Sequence, residues 1–140
     1  MKKAFRSLVT FALALALLVT GVGGTAFAAS SASGSIDGYK WSASVAMSTN
    51  SATAITDMTS APSAHVEASV KVFYWWGDEN HFARADGHEA AGYAMATATK
   101  KLGGAEVIGG EGHHLVFYNN TVRSSATFIG STPSDAIEDK

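Results

Sequence analysis

The chain contains no cysteine among its 140 residues. This absence excludes disulfide bonds, thiolate metal sites, a cysteine nucleophile and the lipid-modified cysteine of a bacterial lipoprotein. Burial of apolar surface must therefore stabilise the fold without covalent help. The residues from 29 onward can bury about two-thirds of their unfolded surface, which suffices for one core. The sequence therefore predicts a single domain.

The chain also lacks the motifs of the common enzyme classes. It has no G-x-S-x-G turn, no glycine-rich phosphate loop with a lysine, and no H-E-x-x-H helix. His88 and Glu89 begin the last pattern, but the position four residues after His88 is Gly92. Asp86 and Gly87 begin a calcium-loop pattern whose other spaced oxygen ligands are missing. These absences favour a protein that is not an enzyme, and no cofactor is predicted.

Long apolar runs are absent except at the N-terminus. Its segments are the basic residues Lys2, Lys3 and Arg6, an apolar stretch from Leu8 to Val19, and the A-x-A sequence at residues 26–28. This order is typical of a secretory signal peptide, with cleavage between Ala28 and Ala29. A membrane anchor is the alternative, but the stretch is shorter than the roughly 20 residues that a spanning helix needs. We therefore predict a signal peptide over residues 1–28 and a secreted, extracellular mature chain.

Positive charge is scarce in the predicted mature chain. The signal peptide contains three of the ten basic residues and none of the twelve acidic ones, which leaves seven basic against twelve acidic side chains and a net charge of −5. An acidic surface repels phosphate backbones and anionic lipid headgroups. We therefore expect no nucleic-acid partner and, for lack of a second long apolar segment, no transmembrane anchor. The expected partner is therefore a component of the cell envelope or another protein.

The rest of the sequence consists of short alternating segments between turn signals. Strands are predicted at 39–47, 52–58, 65–76, 92–102, 115–118 and 121–129. The alanines of residues 92–102 suit a helix equally well. Six or seven strands predict an all-β domain over residues 37–130, either an antiparallel β-sandwich or a small open barrel. Residues 29–36 are predicted to be a flexible leader, and residues 131–140 a disordered acidic tail.

Glycine and asparagine predict the connections between these strands. Gly103-Gly104 predicts a hairpin that places Lys101 opposite Glu106, and Asn119-Asn120 predicts a second hairpin. The glycines at 109, 110 and 112 predict a mobile connection. Residues 77–89 are predicted to form a polar loop or a short helix.

All five histidines lie in the predicted mature chain, several of them close to carboxylates. Imidazole and carboxylate together can bind zinc or copper. The candidate ligands for a divalent metal are His81, His88, Glu89, His113 and His114. The alternative is that these side chains are solvated surface residues, since their spacing matches no metal motif. His113 and His114 would point to opposite faces of a strand, so at most one of them can join a given site.

An aromatic run, Phe73-Tyr74-Trp75-Trp76, ends the clearest predicted strand. Alternation places Tyr74 and Trp76 on the apolar face, in the predicted core, and Phe73 and Trp75 on the opposite face. Phe73 and Trp75 are therefore the candidate ligand-binding residues, as a platform for sugar rings, for a partner or for lipid headgroups. The alternative is that both faces are covered at this end of the strand.

These observations predict a secreted, non-enzymatic bacterial β-domain that binds a ligand or partner at or near the cell envelope. One alternative is a secreted antimicrobial, bacteriocin-like protein. The small size and the tryptophan-rich strand are compatible with this alternative. A second alternative is a small metal-dependent enzyme that uses the histidines and carboxylates of residues 77–89 together with His113 or His114.

Overall fold

The computed structural model describes residues 29–87 and 90–140. The predicted signal peptide and the candidate ligands His88 and Glu89 lie outside the described residues. No helix occurs in the part of the chain that is described, so none there could span a membrane. Its strands are β1 (Ala29–Ile36), β2 (Tyr39–Met47), β3 (Ser51–Asp57), β4 (His65–Trp76), β5 (Glu79–Ala85), β6 (Ala90–Ala91), β7 (Tyr93–Thr99), β8 (Glu106–Tyr118), β9 (Thr121–Gly130) and β10 (Ile137–Glu138). The all-β prediction is confirmed, with ten strands over these residues where six or seven were expected.

The strands form two sheets. The first sheet has the order β1-β2-β3-β7 and is antiparallel throughout. The second has the order β10-β5-β4-β8-β9, with the short β6 paired to the start of β4. Its pairings are antiparallel except for the parallel pairing of β10 with β5. Because neither sheet closes on itself, the protein is a sandwich of two sheets and not a closed barrel.

The core lies between the two sheets and consists mainly of small and β-branched side chains. In β4 the alternate residues from Val66 to Val72 are fully buried, as the sequence predicts. The residues that complete the core include Val45 of β2, Ala52 and Ala54 of β3, Ala94, Ala96 and Ala98 of β7, Val116 of β8 and Ile129 of β9. Alanine and glycine on facing strands allow a close approach of the sheets.

The prediction of a mobile connection at residues 109–112 is wrong, because these residues lie inside β8. A Cβ atom added to Gly110 would lie 2.9 Å from Cβ of Ala52 in the opposite sheet. One added to Gly112 would lie 2.7 Å from both His114 Nε2 and Thr127 Oγ1. Glycine occurs here because neighbouring atoms lie too close to the backbone for a side chain. The sequence alone does not distinguish such a glycine from one in a loop.

The residues predicted to form a flexible leader form β1 instead. Every residue from Ala29 to Ile36 pairs with β2, and Ile36 is buried in the core. The Asp37-Gly38 turn joins the two strands with positive φ angles of 50° and 82°, the geometry that favours a two-residue hairpin. Serine and alanine suffice in β1 because its pairing uses main-chain groups.

Two further connections differ from the predictions. Residues 77–89 contain β5, which a tight turn at Gly77-Asp78 joins to β4. Gly103-Gly104 is not a hairpin, because β7 and β8 belong to different sheets and Glu106 pairs with Trp75 of β4. The hairpin at Asn119-Asn120 is confirmed by its β8–β9 pairing and by φ angles of 47° and 60°.

Residues 131–140 are ordered by contacts with the second sheet, contrary to the predicted disorder. We call residues 131–136 the crossing segment, because they connect β9 at one edge of that sheet to β10 at the other. The Ser131 amide donates to the Ile108 carbonyl at 2.8 Å, and a Cβ on Gly109 would lie 2.0 Å from the Ser131 carbonyl oxygen. The crossing segment therefore starts on the outer face of the sheet, directly over β8.

Candidate functional site at the β4–β5 hairpin

Two adjacent tryptophans project from the sandwich where β4 meets the turn into β5. Trp75 is 42% exposed and Trp76 is 49% exposed. Successive residues of a strand point to opposite faces, so the two indoles lie on different sides of the second sheet. Trp76, predicted in the core, is instead exposed, because β4 extends beyond the region that the first sheet covers. Its ring lies edge-on to the His81 imidazole, with centroids 6.1 Å apart.

Trp75 lies in the middle of a three-residue row on the outer face of the second sheet. The register pairs Trp75 with Asn80 of β5 on one side and with Glu106 of β8 on the other. Both flanking strands are paired to β4, so the backbone under the indole is held rigidly. Neither the Asn80 amide nor the Glu106 carboxylate forms a hydrogen bond or an ion pair with any other described residue.

A β-bulge in β8 places Glu106 in this row. Phe73 pairs with Gly109 and the next residue, Tyr74, pairs with Val107, so Ile108 is the extra residue. A one-residue shift of register moves each following side chain to the other face. Without the bulge, Glu106 would point to the inner face; with it, the carboxylate lies beside Trp75.

Phe73, the second candidate platform residue, is not available to a ligand. It lies on the outer face but is only 3% exposed. Its ring contacts that of Phe82 on β5, with centroids 5.8 Å apart, and its register partner is Gly109, over which the crossing segment begins. The aromatic run is thus covered at Phe73 and exposed at Trp75.

His113 and His114 point to opposite faces, as alternation predicts. His113 is exposed on the outer face, and its Nε2 lies 2.5 Å from Glu111 Oε1. Glu111 also pairs with Lys71, whose Nζ is 3.7 Å from Oε2. His113 Nε2 is therefore already engaged by the Glu111 carboxylate.

His114 is buried between the two sheets and makes hydrogen bonds to both. The Thr56 hydroxyl of the first sheet donates to the Glu67 carbonyl at 2.7 Å, so its oxygen accepts from His114 Nδ1 at 2.9 Å. The Thr127 hydroxyl then donates to His114 Nε2 at 2.8 Å. Burial, with a smaller effect of neighbouring His113, lowers the pKa of His114 to about 4, so the imidazole is neutral.

His81 belongs to a third environment, at the edge covered by β10. Its Nδ1 donates to the Asp139 carboxylate at 3.1 Å, and its ring stacks on Tyr74 with centroids 6.0 Å apart. The Tyr74 hydroxyl donates to the same carboxylate at 2.5 Å. Burial, followed by the hydrogen bond to Asp139, raises the pKa of Tyr74 to about 12. His81 Nε2 is buried without a hydrogen-bond partner among the described residues, 3.9 Å from Glu79 Oε2.

The structure therefore separates the described candidate metal ligands. His81 faces inward from β5, His113 faces outward from β8, and His114 is in the core. Over residues 29–87 and 90–140, no three side chains of His, Cys, Asp or Glu are arranged to hold a metal ion. His88 and Glu89 lie outside this range.

One depression of about 450 Å³ lies on the outer face between β4, β8 and the residues after β5. It is lined by groups that include Glu67, Ser69, Asp86, His113 and Ser124. None of its three serine hydroxyls, at Ser69, Ser124 and Ser125, hydrogen-bonds to His113, whose Nε2 is engaged by Glu111. Among the described residues of this depression, no serine is therefore hydrogen-bonded to a histidine.

Sequence reasoning identified Trp75 but missed its two flanking groups and the exposure of Trp76. Alternation alone indicates the face of Trp75, whereas Asn80 and Glu106 come from strands that were predicted as a loop and as part of a hairpin. Comparisons of the chain with protein-family models, with curated proteins and with solved structures find no match.

Proposed function

We propose that this chain is a secreted, non-enzymatic bacterial domain that binds a component of the cell envelope through the outer face of the β4–β5 hairpin. The observation that carries the proposal is the exposure of Trp75 on a rigid part of the sheet, between two side chains that have no partner in the described part of the chain. Large aromatic rings are costly to expose and are the side chains that most often dominate binding.

The predicted processing is compatible with this fold. Cleavage after Ala28 would leave all ten described strands, β1 (Ala29–Ile36) included, in the mature chain. The acidic mature chain is suited to neutral or cationic envelope components and not to anionic lipid surfaces.

The test is attachment of the purified mature chain to isolated cell-wall material. Trp75→Ala should abolish attachment while the protein stays folded. Phe128→Ala is the matched control, since Phe128 is a 52% exposed aromatic residue on the same face, at the edge strand β9. Tyr74→Ala reports on the core instead, and should lower the free energy of unfolding by roughly 3 to 5 kcal/mol.

Unchanged attachment of a folded Trp75→Ala protein would contradict the proposal. Equal loss of attachment in the Trp75 and Phe128 variants would indicate adhesion through general hydrophobicity and would contradict it as well.

A further inference from the structure

We infer that the row Asn80–Trp75–Glu106 binds a neutral saccharide, with one sugar ring stacked on the Trp75 indole. This inference rests on the proposed function, because it names the ligand class of the same face. It is carried by the combination of one flat aromatic surface with two hydrogen-bonding side chains that have no partner in the described part of the chain.

The dimensions of the row fit one sugar ring. Directly paired residues on neighbouring strands have Cβ atoms about 5 Å apart, so Asn80 and Glu106 are separated by about 10 Å, with the indole between them. A ring lying on the indole therefore presents its hydroxyl groups to a polar side chain on either side.

The chemistry of the three groups is complementary to a sugar. The face of an indole carries negative charge density, which attracts the polarised C–H bonds on the apolar face of a pyranose. Hydroxyl groups both donate and accept hydrogen bonds. The Asn80 amide offers a donor and an acceptor, and the Glu106 carboxylate offers acceptors only. A sugar ring bound here can hydrogen-bond through its hydroxyl groups to Asn80 and Glu106 while its apolar face is buried against the indole.

Other ligand classes fit this row less well. Glu106 lies within it, and Asp78 and Glu79 lie in the adjoining hairpin, so phosphate and anionic headgroups are repelled. A quaternary ammonium group is bound best by several aromatic walls, but the row offers only Trp75, because Trp76 points to the other face.

The experiment is an NMR titration of the isotope-labelled mature chain with two neutral oligosaccharide probes, a hexamer of N-acetylglucosamine and a hexamer of glucose. The chain has three tryptophans, so each indole N–H gives a separate signal. We expect saturable shifts of the Trp75 signal with at least one probe, at a dissociation constant on the order of millimolar. Asn80→Ala and Glu106→Ala should each weaken binding roughly three- to tenfold. Trp75→Ala should abolish it, and Phe128→Ala should leave it unchanged.

Two further arms separate this inference from the proposed function. An excess of the hexamer that shifts the Trp75 signal should release the bound protein from cell-wall material. If Trp75-dependent attachment survives an excess of both hexamers and neither probe shifts the Trp75 signal, the saccharide inference is overturned while the proposed function stands. Displacement of the protein from the wall by choline, but not by the oligosaccharides, would overturn it in favour of a cationic ligand. Attachment that does not depend on Trp75 would overturn both.

Discussion

At the scale of single residues, the sandwich contains polar and glycine positions that a hydrophobicity pattern does not reveal. Thr56, His114 and Thr127 form a hydrogen-bonded chain across the core, and Gly112 leaves the space for it. A buried network of this kind is favourable only while each member keeps its partner. The buried His114 should therefore make the stability depend on pH, and substitution of Gly112 should lower it.

The depressed pKa of His114 predicts a loss of stability in mild acid. As the pH falls below the ordinary value of 6.5, the unfolded chain takes up a proton at this imidazole, whereas the folded chain takes it up only near pH 4. The free energy of unfolding should therefore be highest above pH 6.5 and should fall by roughly 3 kcal/mol between pH 6.5 and 4, at about 1.4 kcal/mol for each pKa unit.

Urea unfolding measured at several pH values between 7.5 and 4 checks this prediction. His114→Gln should be less stable at pH 7.5 and should show a shallower dependence on pH than the unsubstituted protein. His113→Gln changes an exposed side chain and should retain the steep dependence. Identical pH profiles for the His114 variant and the unsubstituted protein would contradict the assignment to His114.

Any side chain at Gly112 should destabilise the fold. Gly112→Ala places a methyl group within 2.7 Å of His114 Nε2 and Thr127 Oγ1, so it should cost about 1 to 3 kcal/mol of stability. Gly103→Ala is the matched control, because a Cβ at Gly103 has no atom within 4 Å. Equal unfolding temperatures for the two variants would show that the core accommodates the added methyl group.

At the scale of strands and turns, the sequence predicted best where alternation and turn chemistry coincide. The inward valines of β4 and the Asn119-Asn120 hairpin were both predicted in this way. β1 was missed because serine and alanine give no apolar alternation, although β2 supplies all its hydrogen-bond partners. β5 was missed because its exposed charged residues resemble those of a loop.

The candidate site was predicted only in part for a related reason. Trp75 lies on the face that alternation indicates, but its neighbours depend on which strands pair and on the bulge at Ile108. Gly103-Gly104 suggested a local hairpin, whereas the chain crosses there to the other sheet. A single sequence contains no direct signal for such long-range pairing.

The docking of β10 against β5 is expected to depend on Asp139. This carboxylate accepts from Tyr74 and His81, and the Asp139 amide donates to the Phe82 carbonyl at 2.8 Å. Asp139→Ala should lower the free energy of unfolding by about 2 kcal/mol, since it removes charge-assisted hydrogen bonds from buried groups. Asp135→Ala, at an exposed position of the crossing segment, should change it by less than about 0.5 kcal/mol. Chemical unfolding of both variants tests this, and a similar small effect in each would contradict a stabilising role for Asp139.

At the scale of the whole molecule, the proposed export predicts that the secreted protein contains both sheets and lacks residues 1–28. If residues 1–28 are removed, the secreted protein should begin at Ala29 and keep β1 in place. Intact-mass measurement on culture supernatant checks the cleavage site. Ala28→Asp should block processing, because signal peptidase requires a small side chain there, whereas Ala29→Ser should be processed normally. A dominant secreted species that retains Met1 would contradict the prediction.

The crossing segment also ties the two edges of the second sheet to each other. Only six residues connect β9 at one edge with β10 at the other, so β10 reaches β5 only where β8, β4 and β5 lie side by side. The pairing with β10 covers an edge of β5 that would otherwise be open to a strand of another chain. The crossing segment and β10 therefore protect the folded protein against edge-to-edge association.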